Sequence, residues 1–193
     1  MVHEKRVIVV GIPGVGKTTV IEKMTYLSRQ KNIEANHVVF GTVMMKEAER
    51  MGVTDRDQIR MMSLEEQREL QALAAQRISK LRARLLIIDT HLFIKTHEGY
   101  LPGLPLDILK TVTPTNIVLV DASTADVMAR RAKDLTRRRD VQANEEVEMD
   151  RRVALAMISA TGVALGIPFA VIENREGEAD GAALQVLSRM GVG

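Results

Sequence analysis

Eight residues near the amino terminus carry the clearest chemical signal in the sequence. Residues 11–18 read Gly-Ile-Pro-Gly-Val-Gly-Lys-Thr and match the phosphate-binding P-loop pattern, with a β-branched run before them and a helical pattern after them. Glycines suit such a loop because its backbone N–H groups must surround phosphate oxygens at distances that side chains would block. We expect Lys17 to lie at a solvent-facing site and to contact the β and γ phosphates of a nucleotide, with Thr18 as a ligand of Mg²⁺.

An aspartate, Asp89, follows the apolar run at residues 85–88. A carboxylate at the end of a buried strand can hold a Mg²⁺-bound water beside the P-loop threonine, although aspartate at such a position also commonly caps a helix. Because a P-loop is present in the same chain, the pattern favours Asp89 as the second residue of a Mg²⁺ site.

Basic residues are concentrated in residues 130–140, where six of them accompany only two acidic residues. Such a run is usually a solvated helix end and loop. Several guanidinium groups could instead converge on a transferring phosphoryl group and stabilise its negative charge. The alternation of Arg137 and Arg139 favours the second interpretation, and Arg151 on the next predicted helix is expected to reach the same phosphates.

The four histidines lack the spacing of a metal site. His91 and His97 are six residues apart, which does not place them on one face of a helix. We interpret His91 as a hydrogen-bonding residue near the nucleotide, because phosphoryl transfer between phosphates needs no strong base.

Short apolar runs alternate with helical patterns along the chain. The runs predict five β-strands, at residues 7–10, 38–40, 85–88, 117–120 and 169–172. Ser63 and Glu66 form a capping-box pattern that predicts the start of a helix, and the glycines and prolines of residues 99–105 predict a loop. Because parallel strands need crossover connections, strands that alternate with helices predict an α/β fold with a mostly parallel sheet.

The composition restricts the possible classes of protein. A chain of 193 residues that is 46% hydrophobic is long enough for one globular domain with its own core. The absence of cysteine excludes a disulfide framework and a thiolate zinc site, and it agrees with a reducing cytosol, so we expect a cytoplasmic protein. No apolar run approaches the roughly 20 residues of a membrane helix. A formal charge of +2 is too balanced for a general nucleic-acid binder.

Several motifs together resemble the adenylate kinases, in particular the archaeal type with a short lid. Besides the P-loop they are Phe-Gly-Thr-Val-Met at 40–44, Asp-Arg-Asp-Gln-Ile-Arg at 55–60, Asp-Thr-His at 89–91, Lys-Thr at 95–96, Gly-Tyr-Leu-Pro-Gly-Leu-Pro at 99–105 and Thr-Arg-Arg-Arg-Asp at 136–140. P-loops occur in many nucleotide-binding enzymes. Residues 89–91 together with residues 99–105 therefore carry most of the resemblance, which extends over nearly the whole chain.

The resemblance implies the fold of a P-loop NTPase, a three-layer α/β sandwich with a five-stranded parallel sheet, in a single domain over residues 1–193. It implies a mobile helical AMP-binding region at about residues 31–77 and a short lid at about residues 135–141. The implied reaction is the Mg²⁺-dependent, reversible transfer of a phosphoryl group from ATP to AMP, which gives two ADP. Members of this type often form trimers, so we expect a homo-oligomer, and specifically a homotrimer.

The resemblance also implies roles for individual residues. ATP would be bound by Arg130 and by the P-loop residues Gly11, Ile12, Pro13, Gly14, Val15, Gly16, Lys17, Thr18 and Thr19. AMP would be bound by Thr42, Arg60 and His91. The catalytic groups would be Lys17, Arg137, Arg139 and Arg151, and Mg²⁺ would be held by Thr18 and Asp89.

Three alternatives to this function remain open from the sequence. A kinase of the same fold could act on CMP, UMP or a small alcohol, because the acceptor is chosen by a pocket that the sequence does not reveal. A nucleotide-dependent switch is disfavoured. Switches of the GTP type are expected to carry the guanine-reading motif Asn/Thr-Lys-x-Asp, and this string does not occur in the chain. A nucleic-acid accessory role would rest on residues 130–139 alone.

Overall fold

The computed structural model of the protein describes residues 4–133 and 144–192, without the side chains of Arg56 and Arg60. Strands and helices alternate over most of this length. In chain order the elements are β1 (Lys5–Val10), α1 (Lys17–Gln30), β2 (Ala35–Val39), α2 (Phe40–Arg50), α3 (Arg56–Met61), α4 (Leu64–Ser79), β3 (Leu85–Asp89), β4 (Phe93–Thr96), β5 (Gly99–Pro102), α5 (Leu106–Val112), β6 (Asn116–Asp121), α6 (Thr124–Lys133), α7 (Asn144–Leu165), β7 (Phe169–Glu173) and α8 (Ala179–Arg189).

Five strands form one parallel sheet in the order β2-β3-β1-β6-β7. The three inner strands are almost entirely buried, whereas the edge strands β2 and β7 are partly exposed. Inner strands of a parallel sheet are covered on both faces by the crossover helices, which explains their unbroken β-branched and leucine runs. The predicted five-stranded parallel sheet is confirmed.

Crossover handedness places the helices in two layers. The connection from β1 to β2 runs one way along the sheet, while those from β2 to β3, β3 to β6 and β6 to β7 run the other way. Because such crossovers are right-handed, α1 lies on one face and α4, α5 and α7 lie on the other. Helix α8 packs against α1, and α4 packs against α5, which completes the three-layer α/β sandwich.

Two predictions at element boundaries are wrong. The apolar pattern places Phe40 in the second strand, but this residue begins α2, where its side chain is buried in the core. The glycines and prolines of residues 99–105 predict a loop, but the first four of these residues form β5, which pairs antiparallel with β4. Gly99 and Pro102 lie at the two ends of this short strand, where glycine and proline are tolerated, so they were misleading as loop signals.

Helices α2, α3 and α4 lie between β2 and β3 and bury a small apolar cluster of their own, formed by Ala48, Val53, Ile59 and Leu70. Ser63 and Glu66 form the predicted capping box at the start of α4. This segment falls within residues 31–77, whose AMP-binding role stays a prediction. The lid predicted at residues 135–141 lies outside the described residues.

No helix within residues 4–133 and 144–192 combines the length and apolarity needed to cross a membrane.

A buried arginine at the start of the sheet holds the ends of two helices. Arg6 in β1 is 8% exposed, and its guanidinium donates hydrogen bonds to the carbonyl oxygens of Ser79 and Leu81, at 2.9 and 2.7 Å, and of Val112, at 3.2 Å. The last carbonyl groups of a helix have no partner within the helix. Arg6 therefore satisfies backbone acceptors at the ends of both α4 and α5.

Replacing Arg6 by methionine should lower the free energy of unfolding by about 3 kcal/mol, because several buried carbonyl groups lose their charged donor. Urea denaturation followed by circular dichroism would measure this change. Arg29→Met is the matched control, since Arg29 is exposed and should change the free energy by less than about 0.5 kcal/mol. Equal effects of the two substitutions would contradict the structural role of Arg6.

Candidate active site

The candidate residues collect at one edge of the sheet. Gly11 follows β1, Asp89 ends β3 and Asp121 ends β6, while Phe40 follows β2 and Asn174 follows β7. Because all five strands are parallel, these positions lie together at the carboxyl edge, where ligands bind in open α/β sheets. The connections from β1 and β3 leave in opposite directions, which opens a crevice between these two neighbouring strands.

The P-loop joins the end of β1 to the start of α1. Gly14 and Gly16 have φ angles of 96° and 80°, in the left-handed region that side-chain-bearing residues rarely adopt. Helix α1 begins at Lys17, so its free N–H groups and the positive end of its dipole face the loop. The segment is therefore shaped to bind an anion.

Lys17 forms an ion pair with Asp89, through Nζ and Oδ1. The two side chains are only 12% and 10% exposed, so the expectation that Lys17 faces solvent is wrong. The reason is that α1 starts beside the end of β3, which brings the ammonium group against a carboxylate in the crevice. Burial lowers the pKa of Lys17 to about 8, whereas the Asp89 carboxylate favours the charged ammonium.

His37 is a neighbour of this pair that sequence reasoning missed. Its Nε2 lies 3.7 Å from Asp89 Oδ2, and it is buried without a hydrogen-bond partner. Burial, and then the charge of Lys17, lower the pKa of His37, which favours the neutral imidazole. The signal was available in the two-residue period of a strand: His37 and Val39 lie on one face of β2, as their partners Ile87 and Asp89 lie on one face of β3.

The donors near the P-loop fit a magnesium ion. Asp89 offers a carboxylate at the end of β3, and Thr18 offers a hydroxyl in the first turn of α1, and Mg²⁺ prefers such oxygen ligands. Among the described residues no group of three His, Cys, Asp or Glu side chains could hold a metal. The site therefore suits an ion that takes its other ligands from water and phosphates, rather than one held in a protein cage.

Arg151 is fixed at the same edge by two carboxylates. Its guanidinium makes two parallel bonds to Asp121, at 2.9 and 2.8 Å, and its Nη1 donates to Glu148 at 2.9 Å. Hydrogen bonding to Asp121 raises the pKa of Arg151, so the group stays charged. Arg152 shares the Glu148 carboxylate, at 3.4 Å, but its side chain is 72% exposed, and among the described residues no ion pair joins it to Asp121.

Arg130 lies against the P-loop. It donates to the carbonyl oxygens of Val15 and Asn174, both at 3.0 Å, and pairs with Glu176 at 2.8 Å. Its predicted contact with ATP stays a prediction. The other predicted phosphate-binding arginines, Arg137 and Arg139, lie outside the described residues.

Two of the predicted acceptor-site residues follow neighbouring strands. Thr42 lies in the first turn of α2, three residues after β2, and His91 lies two residues after β3; both are exposed. Gly103 lies close to this segment, since a Cβ atom there would come within 2.2 Å of the His91 carbonyl oxygen. Arg60 belongs to α3, and its side chain is outside the described part of the structure.

A polar cluster joins the β4–β5 hairpin to α7 beside Arg151. Asp150 is 2% exposed, accepts a hydrogen bond from Tyr100 Oη at 2.8 Å and pairs with Lys95 at 3.1 Å. Burial and the bond to Asp150 raise the pKa of Tyr100 to about 12. The hairpin and the helix that carries Arg151 are thus held together by a buried carboxylate.

Comparison with known proteins identifies the family of the chain. The family model described as "AAA domain" matches residues 10–148. Adenylate kinase from Methanocaldococcus jannaschii is 39% identical over 189 residues, which cover 95% of this chain and 96% of the relative. Adenylate kinase from Methanopyrus kandleri is 40% identical over 88% of this chain and 89% of its own length. The chain belongs to the adenylate kinase family.

Kinases outside the adenylate kinase family share this fold. Shikimate kinase from Acinetobacter baumannii superposes with a TM-score of 0.57 and 17% identity, over 97% of this chain and 93% of that protein. The predicted P-loop NTPase fold is therefore confirmed, while the choice of substrate within that fold depends on the residues around the site.

The ion pair between Lys17 and Asp89 should contribute to the free energy of unfolding of this adenylate kinase family member. Lys17→Met should lower the free energy of unfolding by about 3 kcal/mol, because it leaves a buried carboxylate without a partner. The double substitution Lys17→Met with Asp89→Asn should cost less than the sum of the two single ones. Urea denaturation of the four proteins measures this double-mutant cycle, and strict additivity would contradict the pairing.

Proposed function

We propose that the chain catalyses the Mg²⁺-dependent, reversible transfer of the γ-phosphoryl group of ATP to AMP, which gives two ADP. The observation that carries this proposal is the P-loop whose lysine meets the carboxylate at the end of the adjacent strand, in a chain similar over nearly its whole length to archaeal adenylate kinases. The β and γ phosphates of ATP would lie at the loop and the start of α1. The acceptor would then lie on the side of β2 and α2.

Different residues bind ATP, Mg²⁺ and AMP in the proposed mechanism. The P-loop N–H groups and Lys17 bind the phosphates of ATP, and Thr18 and Asp89 would hold Mg²⁺, which would supply neutralisation of phosphate charge. Lys17 exchanges its carboxylate partner for phosphate oxygens, which leaves Asp89 able to act as a metal ligand or to hold a metal-bound water. Thr42, Arg60 and His91 bind AMP.

Arginine residues stabilise the charge of the phosphoryl group in transfer. A guanidinium has five N–H groups. Those of Arg151 that bind Asp121 and Glu148 fix its position, and at least one N–H on Nη2 is left for a phosphate oxygen. A group fixed in advance needs little reorganisation when charge develops, which is how such donors accelerate phosphoryl transfer. Arg137 and Arg139 would supply further donors.

A product assay with purified protein tests the proposed reaction. MgATP should be incubated with AMP, CMP, UMP and GMP in turn, and the nucleotides should be quantified by chromatography. We expect equal loss of ATP and AMP, formation of two ADP, and no conversion without Mg²⁺ or in Lys17→Met. Lys23→Met is the matched control, since Lys23 pairs with Asp180 at the surface and should leave the rate unchanged. A higher kcat/KM for another acceptor would overturn AMP as the substrate.

Arg151 and Arg152 provide an internal comparison of neighbouring side chains. Arg151→Lys should lower kcat by at least about 10-fold, because lysine cannot keep two bonds to Asp121 and still present a donor to a phosphate. Arg152→Lys should change kcat less than about 2-fold, because that side chain is exposed. Steady-state kinetics with saturating ATP and AMP measures both values. Equal losses in the two variants would remove Arg151 from the proposed mechanism.

The assembly and the location of the protein are separate inferences. We infer a homotrimer by analogy with the archaeal type that the motifs resemble, and a cytoplasmic location because a chain without cysteine agrees with a reducing cytosol. Light scattering during size-exclusion chromatography distinguishes three copies of a 21.4 kDa chain from one or two.

A further inference from the structure

Two carbonyl groups of the P-loop are bound from outside by side chains of distant segments. The Pro13 carbonyl oxygen accepts two hydrogen bonds from Arg131, from Nε at 2.9 Å and Nη2 at 2.7 Å. The Val15 carbonyl oxygen also accepts two, from Arg130 Nη1 at 3.0 Å and from Asn174 Nδ2 at 2.8 Å. We refer to Arg130, Arg131 and Asn174 as the carbonyl clamp.

The clamp determines where the neighbouring N–H groups point. In a planar trans peptide the C=O of one residue and the N–H of the next point in opposite directions. Fixing the carbonyl of Pro13 therefore fixes the N–H of Gly14, and fixing the carbonyl of Val15 fixes the N–H of Gly16. Both N–H groups then point away from the clamp.

The Pro13–Gly14 and Val15–Gly16 peptide groups need such restraint, because each ends at a glycine. Gly14 and Gly16 have positive φ angles, and glycine accepts either sign of φ at little cost, so the glycines themselves do not prevent the peptides from rotating. A rotated peptide would present a carbonyl oxygen, and not an N–H, to an anion. The side chains outside the loop supply a restraint that the glycines do not.

Asn174 is buried beside the P-loop and held there by backbone hydrogen bonds. It is 3% exposed, its own N–H donates to the Asp121 carbonyl at 2.8 Å, and its carbonyl accepts from Arg130. A Cβ atom on Gly16 would come within 2.4 Å of Asn174 Nδ2, so the amide group lies directly against the loop. The orientation of the amide is determined, since the opposite one would place Oδ1 against the Val15 carbonyl oxygen.

We propose that Asn174 and Arg131, together with Arg130, are positioning residues that hold the Gly14 and Gly16 N–H groups toward the phosphates of the bound nucleotide. They contact neither of the reacting groups and act through the loop. The inference rests on the proposed function only in taking a nucleoside triphosphate as the ligand. The proposed role of Arg130 is to hold the Val15 carbonyl on the side of the P-loop that faces away from the phosphates.

The test compares two buried asparagines. Asn174→Ala removes a clamp bond without changing the charge of the protein. Asn116→Ala is the matched control, because Asn116 is 5% exposed but lies at the start of β6, at the opposite edge of the sheet. Binding of inorganic tripolyphosphate, MgATP and AMP is measured by titration calorimetry, and stability by urea denaturation.

We expect Asn174→Ala to weaken tripolyphosphate and MgATP binding by at least about 10-fold and AMP binding by less than about 2-fold. Asn116→Ala should lower stability but leave all three affinities within about 2-fold of the original protein. Equal effects of the two substitutions on tripolyphosphate affinity, or none in Asn174→Ala, would overturn the proposal. Because tripolyphosphate binding requires no acceptor, a protein that binds it but does not phosphorylate AMP would contradict the proposed function and not the clamp.

A second pair of variants applies if Asn174→Ala does not fold. Arg131→Met removes both bonds to the Pro13 carbonyl, and Arg175→Met removes the same charge from an exposed side chain next to Asn174, where it pairs with Glu173. We expect at least about 10-fold weaker tripolyphosphate binding in Arg131→Met only. Equal weakening in both variants would mean that charge alone is responsible, and the proposal would be wrong.

Discussion

The ion pair between Lys17 and Asp89 is the interaction around which the site is arranged. It joins the first residue of α1 to the last residue of β3, the strand that lies between β1 and β2 in the sheet. Two charges that are about nine-tenths buried are stable only as a pair, because an isolated buried charge is strongly unfavourable. In the proposed mechanism, an incoming phosphate chain would therefore replace a partner that the lysine already has. This exchange would couple nucleotide binding to the release of a carboxylate that could serve a metal.

The same arrangement recurs elsewhere at the carboxyl edge. Asp121 ends β6 and holds Arg151 of α7, as Asp89 ends β3 and holds Lys17 of α1. In each pair the strand supplies a rigid carboxylate and the helix supplies the cation. The cluster of Asp150, Lys95 and Tyr100 adds a third link, from the hairpin to α7. Each of these cations is thus held by a carboxylate before any phosphate arrives, and in the proposed mechanism this is the preorganisation that electrostatic catalysis requires.

Local patterns in the sequence predicted the parts of the fold that depend on local physics. The P-loop, the five strands and the capping box at Ser63 follow from short motifs and from the period of apolar residues, and the structure contains all of them. The hairpin of β4 and β5 was missed because its strands have four residues each and its proline and glycine resemble loop signals. The burial of Lys17 was also missed, because it depends on a partner 72 residues away in the chain. Asn174 had no recognisable signal, since its partner Val15 lies 159 residues away.

We expect Lys17 to leave Asp89 for the phosphates when the nucleotide binds. A crystal structure with Mg²⁺, AMP and a non-hydrolysable ATP analogue would test this exchange. Lys17 Nζ should lie within about 3 Å of β- or γ-phosphate oxygens, with the Asp89 carboxylate turned to the metal or to its water. A complex in which Lys17 keeps its bond to Asp89 while the phosphates bind elsewhere would contradict it.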